Sequence, residues 1–107
     1  MDKLTPEEAR NVDFDVTKVA DDIIEDKREK YSGTEDPYRN FRVAASLCGV
    51  EPWRTVLMRM GDKMSRIRTM CESGLTAEGW ADLMANDFPD IVNYTRILAG
   101  MTKELTL

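Results

Sequence analysis

Between Pro52 and Cys71 the apolar residues Val56, Met60, Met64, Ile67 and Cys71 follow one another at spacings of four, four, three and four. That rhythm lines up side chains on one face of a helix and on neither face of a strand. Pro52 suits a first helical turn, because its missing N–H is one that has no intrahelical partner there. "ESGLT" breaks the pattern after Cys71. On the opposite side, Arg59, Asp62, Lys63 and Arg66 share a polar face. Gly61 interrupts this predicted helix at a cost of about 1 kcal/mol against alanine, which calls for close packing or a nearby ligand.

The remaining segments carry the same period, and no alternating run of β-branched residues exceeds a few positions. Val16, Val19, Ala20, Ile23 and Ile24 define an apolar face over 15–31, with Asp22, Glu25, Asp26 and Glu29 pointing away and Gly33 expected to end the helix. Ahead of it, "LTPEEA" offers Thr5 as a cap, Pro6 at the first helical position and Glu7 and Glu8 at the positive helix end. Residues 1–14 therefore read as a short helix or arm. A third helix over 37–48 turns Phe41, Ala44, Ala45 and Cys48 inward and stops at Gly49. Thr76 caps a helix running to about Ala85, and "NDFPD" opens a last one ending near Gly100. The predicted fold class is all-α. Residues 1–107 form one domain, a compact antiparallel bundle of four to five helices completed by oligomerisation. A chain this short seldom encloses a deep pocket alone, so a homodimer or homotetramer is expected.

Composition narrows the chemistry. The 107 residues are 42% hydrophobic and 33% charged, a globular balance. No apolar run approaches the roughly 18 residues of a membrane helix, and no leader pattern is visible, so the cytosol is the expected location and no membrane partner is expected. With no histidine, imidazole acid–base chemistry is excluded, and a metal would be held by oxygen, which points to Mg²⁺ or Mn²⁺. Cys48 and Cys71 lack metal or redox spacing and read as buried free thiols. The net charge of −5 is uneven: six Lys/Arg face twelve Asp/Glu over 1–38, seven face two over 39–68, and two face six over 69–107. One basic segment in an acidic chain argues against general nucleic-acid binding and for a small anion or for helices of opposite charge packing together.

Three polar groupings stand out. Asp21, Asp22, Glu25 and Asp26, in "DDIIED", are either a solvated acidic face or a set of carboxylates able to share a divalent cation. Asp87 and Asp90, in "DFPD", read first as a helix cap with Pro89 in the first turn. Arg59, Lys63 and Arg66 either clamp phosphate or pair with the acidic helix before them.

Taken together, "KYSGTEDPYRNF", "VLMRMGDKMSRIR" and "DIVNYTRIL" resemble the small, often phage-encoded helical proteins of the MazG-like and nucleotide-modification-associated group. The shared pattern is a basic residue, a tyrosine and a glycine around a turn (Arg28, Tyr31, Gly33), an Asn-Phe pair (Asn40, Phe41), Lys–x–x–Arg (Lys63, Arg66) and Asp–x–x–x–Tyr (Asp90, Tyr94), spread over residues 19–98. The resemblance implies a nucleoside triphosphate pyrophosphohydrolase acting on (d)NTPs or modified nucleotides. Mg²⁺ (or Mn²⁺) would be held by Asp21, Asp22, Glu25, Asp87 and Asp90, with Glu25 and Asp90 as the catalytic carboxylates. Lys63, Arg66 and Arg59 would contact phosphate, and Tyr31, Tyr38, Asn40, Trp53 and Tyr94 the rest of the nucleotide. The chain departs from the group in having aspartate for glutamate at three positions, Pro89 inside the second acidic motif and a wider separation of the two motifs. The competing expectation is a non-catalytic helical oligomer, a nucleotide-binding or protein-interaction module whose seven methionines give a soft contact surface.

Overall fold

A computed structural model describes residues 2–30 and 36–107. Among these, five helices and no strand are present: α1 (Pro6–Lys30), α2 (Arg39–Cys48), α3 (Pro52–Glu72), α4 (Ala77–Ala85) and α5 (Asp87–Glu104). No helix among the described residues is long and apolar enough to cross a membrane. The all-α expectation holds. The turn at Tyr31 to Gly33, where α1 was expected to end, lies outside the described residues, as does the side chain of Arg28.

α1 is one 25-residue helix rather than an arm followed by a helix. Its start is a reciprocal capping box. The Thr5 N–H donates to Glu8 Oε1 at 3.0 Å, and the Glu8 N–H donates to Thr5 Oγ1 at 3.2 Å. Nothing in "RNVDFD" breaks the helix thereafter, and Ala9 and Val12 extend the half-buried line of Val16, Val19 and Ile23, with Ala20 fully buried beside it. α2 ends on Gly49, whose φ of 69° supplies the left-handed cap. Ala45 is buried and Phe41 meets the Tyr94 ring edge-on, 6.3 Å between centroids, whereas Ala44 and Cys48 are exposed instead of inward.

The buried line of α3 is rotated from the expected one. Val56 is fully buried, and Met60, Lys63, Ile67 and Met70 are half-buried, while Met64 and Cys71 are exposed. The reason is electrostatic: α5 presents carboxylates to α3, so Lys63 and Arg66 turn toward the bundle and the stripe shifts with them. Both cysteines are exposed free thiols, not buried ones. In α4 the Thr76 hydroxyl caps as expected, accepting from the Gly79 N–H at 3.0 Å.

α5 organises the rest. It packs on α1, α3 and α4, and α2 packs on α3. It runs through Gly100 to Glu104. Gly100 serves a steric purpose there, because a Cβ at that position would land on the Tyr38 hydroxyl. Arg42 joins the start of α2 to the end of α5, reaching Asp36 at 2.6 Å and Glu104 at 2.7 Å. The fully or nearly buried apolar residues are few: Ala20, Ala45, Val56, Leu83, Pro89 and Met101. The bundle measures 46 × 26 × 26 Å.

Candidate functional site

Lys63 and Arg66 stand three residues apart on α3, and Asp87 and Asp90 three apart at the start of α5. The two pairs meet. Lys63 Nζ lies 2.9 Å from Asp90 Oδ2. Arg66 forks, with Nη1 donating to Asp87 Oδ1 and Nη2 to Asp82 Oδ2 at the end of α4. The result is a ladder of ion pairs across the α3–α4–α5 corner, with one cation for each turn of α3.

Asp87 is its inner member. Its side chain is fully buried, and among the described residues nothing hydrogen-bonds its second oxygen, Oδ2. This overturns its reading as a cap. Asn86 holds the cap position without a side-chain cap bond, and its amide instead donates back to Asp82. A buried carboxylate oxygen without a donor is costly and calls for a partner, either water or an ion. The positive end of α5 offsets part of that cost.

The ladder shifts the titration of its members. The hydrogen bond to Asp90, reinforced by the charges of Asp90 and Asp87, raises the Lys63 ammonium above its usual range. The hydrogen bond to Asp82 raises Arg66, and the same bond holds Asp82 below the usual carboxylate range. Two cations against three carboxylates leave a formal charge of −1, so the cluster attracts a cation and repels a bare polyphosphate. A phosphate chain would approach it in company with a divalent ion.

The acidic segment of α1 lies on another face of α5. Asp21 pairs with Arg96 at 2.8 Å, Arg96 Nη1 donates to Asn93 Oδ1 at 3.1 Å, and the Asn93 amide donates to the Ala20 carbonyl at 2.8 Å. An open depression of about 420 Å³ lined by Asp21, Ile24, Glu25 and Arg96 lies there. Asp22 is exposed. Among the described residues no group of three or more Asp, Glu or Cys side chains comes together as a metal cage. The structure thus brings together Lys63, Arg66, Asp87 and Asp90, with Tyr94 one turn beyond Asp90, whereas Asp21 pairs with Arg96 and, among the described residues, Asp21, Asp22 and Glu25 form no metal cage with them. The expected pairing of the basic face with the acidic helix before it is replaced by pairing with α4 and α5.

The other expected contacts are dispersed. Arg59 and Asn40 are exposed. Trp53 hydrogen-bonds Glu51 and is covered by the Arg54 guanidinium at 4.5 Å. Tyr38 sits against Gly100, ten residues along α5 from Asp90 and so about 15 Å away, with Arg42 5.8 Å from its ring centre. Tyr31 lies outside the described residues. Asp82, Asn93 and Arg96 were not singled out from the sequence. Asn93 was findable as a polar residue on the inward line of the last helix. No protein-family model matches this chain, and no curated protein or solved structure matches it either.

Proposed function

We propose that this chain is a nucleotide-handling protein of the MazG-like kind, a metal-dependent nucleoside triphosphate pyrophosphohydrolase working at the α3–α5 ladder. The observation that carries the reading is the register in which Lys–x–x–Arg meets Asp–x–x–Asp, with the buried Asp87 Oδ2 given no donor among the described residues. An all-oxygen donor set suits Mg²⁺ or Mn²⁺, and Asp87 and Asp90 are the carboxylates that would hold it. The ion, when bound, supplies a Lewis acid and a more acidic water. Lys63 and Arg66, both reachable from solvent, would orient phosphate oxygens, easing part of their hold on Asp90 and Asp82. Asp90, with its side chain one-fifth exposed, would accept a proton from water. Tyr94, one turn beyond Asp90, is held edge-on against the Phe41 ring.

The test is pyrophosphate release from a panel of ribo- and deoxynucleoside triphosphates with Mg²⁺ or Mn²⁺, with chelator, Lys63→Met and Asp90→Asn as controls. Release abolished by chelator and by both substitutions supports the reading. No release from any substrate by folded protein refutes it. The second reading, a non-catalytic helical module, is favoured by the completeness of the pairing: every cation of the ladder already has a carboxylate. It predicts thermal stabilisation by nucleotide, or none, without turnover.

A further inference from the structure

Gly61 gives a helix interior a residue it ordinarily avoids, yet among the described residues nothing explains it: beyond its own stretch of helix, no atom of theirs lies within 4 Å of where its Cβ would stand. Its surroundings do. On the surface of α3, Gly61 is the crossing point of two rows, Leu57–Gly61–Ser65 at spacings of four and Met58–Gly61–Met64 at spacings of three. All four neighbours are uncharged, and the three apolar ones are open to solvent, Leu57 at 44%, Met58 at 65% and Met64 at 51%. Arg54 and Arg68, seven residues to either side of Gly61, border the patch. A helix whose rows are flat at one point and ridged around it accepts another helix crossing there, and glycine at the crossing lets two backbones approach.

The chain carries surface enough for a partner. A folded monomer of 12.2 kDa carries about 6,000 Å² of accessible surface, whereas this chain carries 7956 Å², an excess of roughly 1,900 Å². A standard interface takes about 800 Å² from each partner. The radius of gyration, 16.1 Å, likewise exceeds the value of about 13 Å for a compact domain of this length.

We propose that the outward face of α3 is a homodimer interface in which α3 of one copy crosses α3 of a second at Gly61, with Leu57, Met58, Met64 and Ser65 interleaving around it. A second copy fits because the patch is self-complementary: a two-fold axis through Gly61 sets flat against flat and the two methionines against the partner's apolar rows. The crossing carries the rim arginines apart as the helices diverge. The interface is independent of the nucleotide reading.

Sedimentation velocity over a concentration series, with helical circular dichroism on every sample, tests it. The wild-type chain is expected to be a dimer. Gly61→Leu and Met58→Glu, both at exposed positions, should each weaken association about tenfold or more while keeping the helical signal. Gly61→Ala gives the sharper signature: it raises helix propensity and should stabilise the isolated chain, yet weaken the dimer. Phe14→Glu, on α1 and 68% exposed, should leave association unchanged. A wild-type chain that is monomeric up to millimolar concentration overturns the proposal. So does an oligomer indifferent to Gly61→Leu and Met58→Glu, or one that Phe14→Glu dissolves.

Discussion

Arg66 stands between solvent and Asp87: its guanidinium is about half exposed, while the carboxylate it holds is fully buried. The two partners are therefore unequal. Removing the aspartate leaves a cation that still has Asp82 and water. Removing the arginine leaves a buried anion whose remaining cation, Lys63, is bonded to Asp90 instead.

Arg66→Met is accordingly expected to lower the urea midpoint, because it takes from a buried carboxylate the group that hydrogen-bonds it. Asp87→Asn in the same chain should recover most of the loss, so the double-mutant cycle measured by urea denaturation should show strong positive coupling. Additive losses would mean that Arg66 contributes by packing alone.

The pH profile follows from the ion pairs. Glu8, held down by its bond from the Thr5 N–H, Asp36, held down by the Tyr38 N–H, and Asp82, held down by Arg66, all have folded values below their unfolded ones. Each contributes stability that is present above the ordinary carboxylate range and lost as pH falls through the lowered folded value. Lys63 is raised by Asp90, so its contribution is full below the ordinary lysine range and is lost as pH rises through the raised value. Melting temperature should be flat near neutrality and fall at both extremes. In Lys63→Met the alkaline fall should be reduced.

Leu83 is the largest fully buried apolar side chain and the one α4 contributes to the core. Leu83→Ala should cost about 2–5 kcal/mol. Urea denaturation followed by circular dichroism would show it as a lower midpoint. A loss under about 1 kcal/mol would mean that α4 closes over the gap.

Thr76→Ala removes the hydroxyl that accepts from the Gly79 N–H and should cost about 1 kcal/mol. Thr76→Ser should be nearly neutral. Hydrogen exchange should locate the effect in the first turn of α4, where the Gly79 N–H loses its acceptor.

Much of the helical order was legible because period and punctuation agree. Thr76 capping α4, Gly49 ending α2 and Pro52 opening α3 each follow from one residue's backbone preference. The continuity of α1 was also present, in the three–four–three spacing from Ala9 to Val19, but the cap signal at Thr5 suggested a separate element. The rotation of α3 was not legible. Met64 and Cys71 fit the apolar line as well as Lys63 does by spacing, and only the carboxylates of α5 decide that the lysine goes inward. For the same reason Asp87 read as a cap: its burial depends on Arg66, 21 residues away. The pairing of Asp21 with Arg96 likewise depends on which face of α5 the first helix takes.

The helix on which three others pack is made after all of them. While α1 through α4 emerge from the ribosome, α2 and α3 have each other, but α1 and α4 lack the surface that covers most of their apolar side chains. Their amphipathic faces must wait in water until α5 has cleared the exit tunnel. Folding is thus expected to follow synthesis of this segment rather than accompany it, and the nascent helices stay open to chaperones, or to one another, for the whole interval.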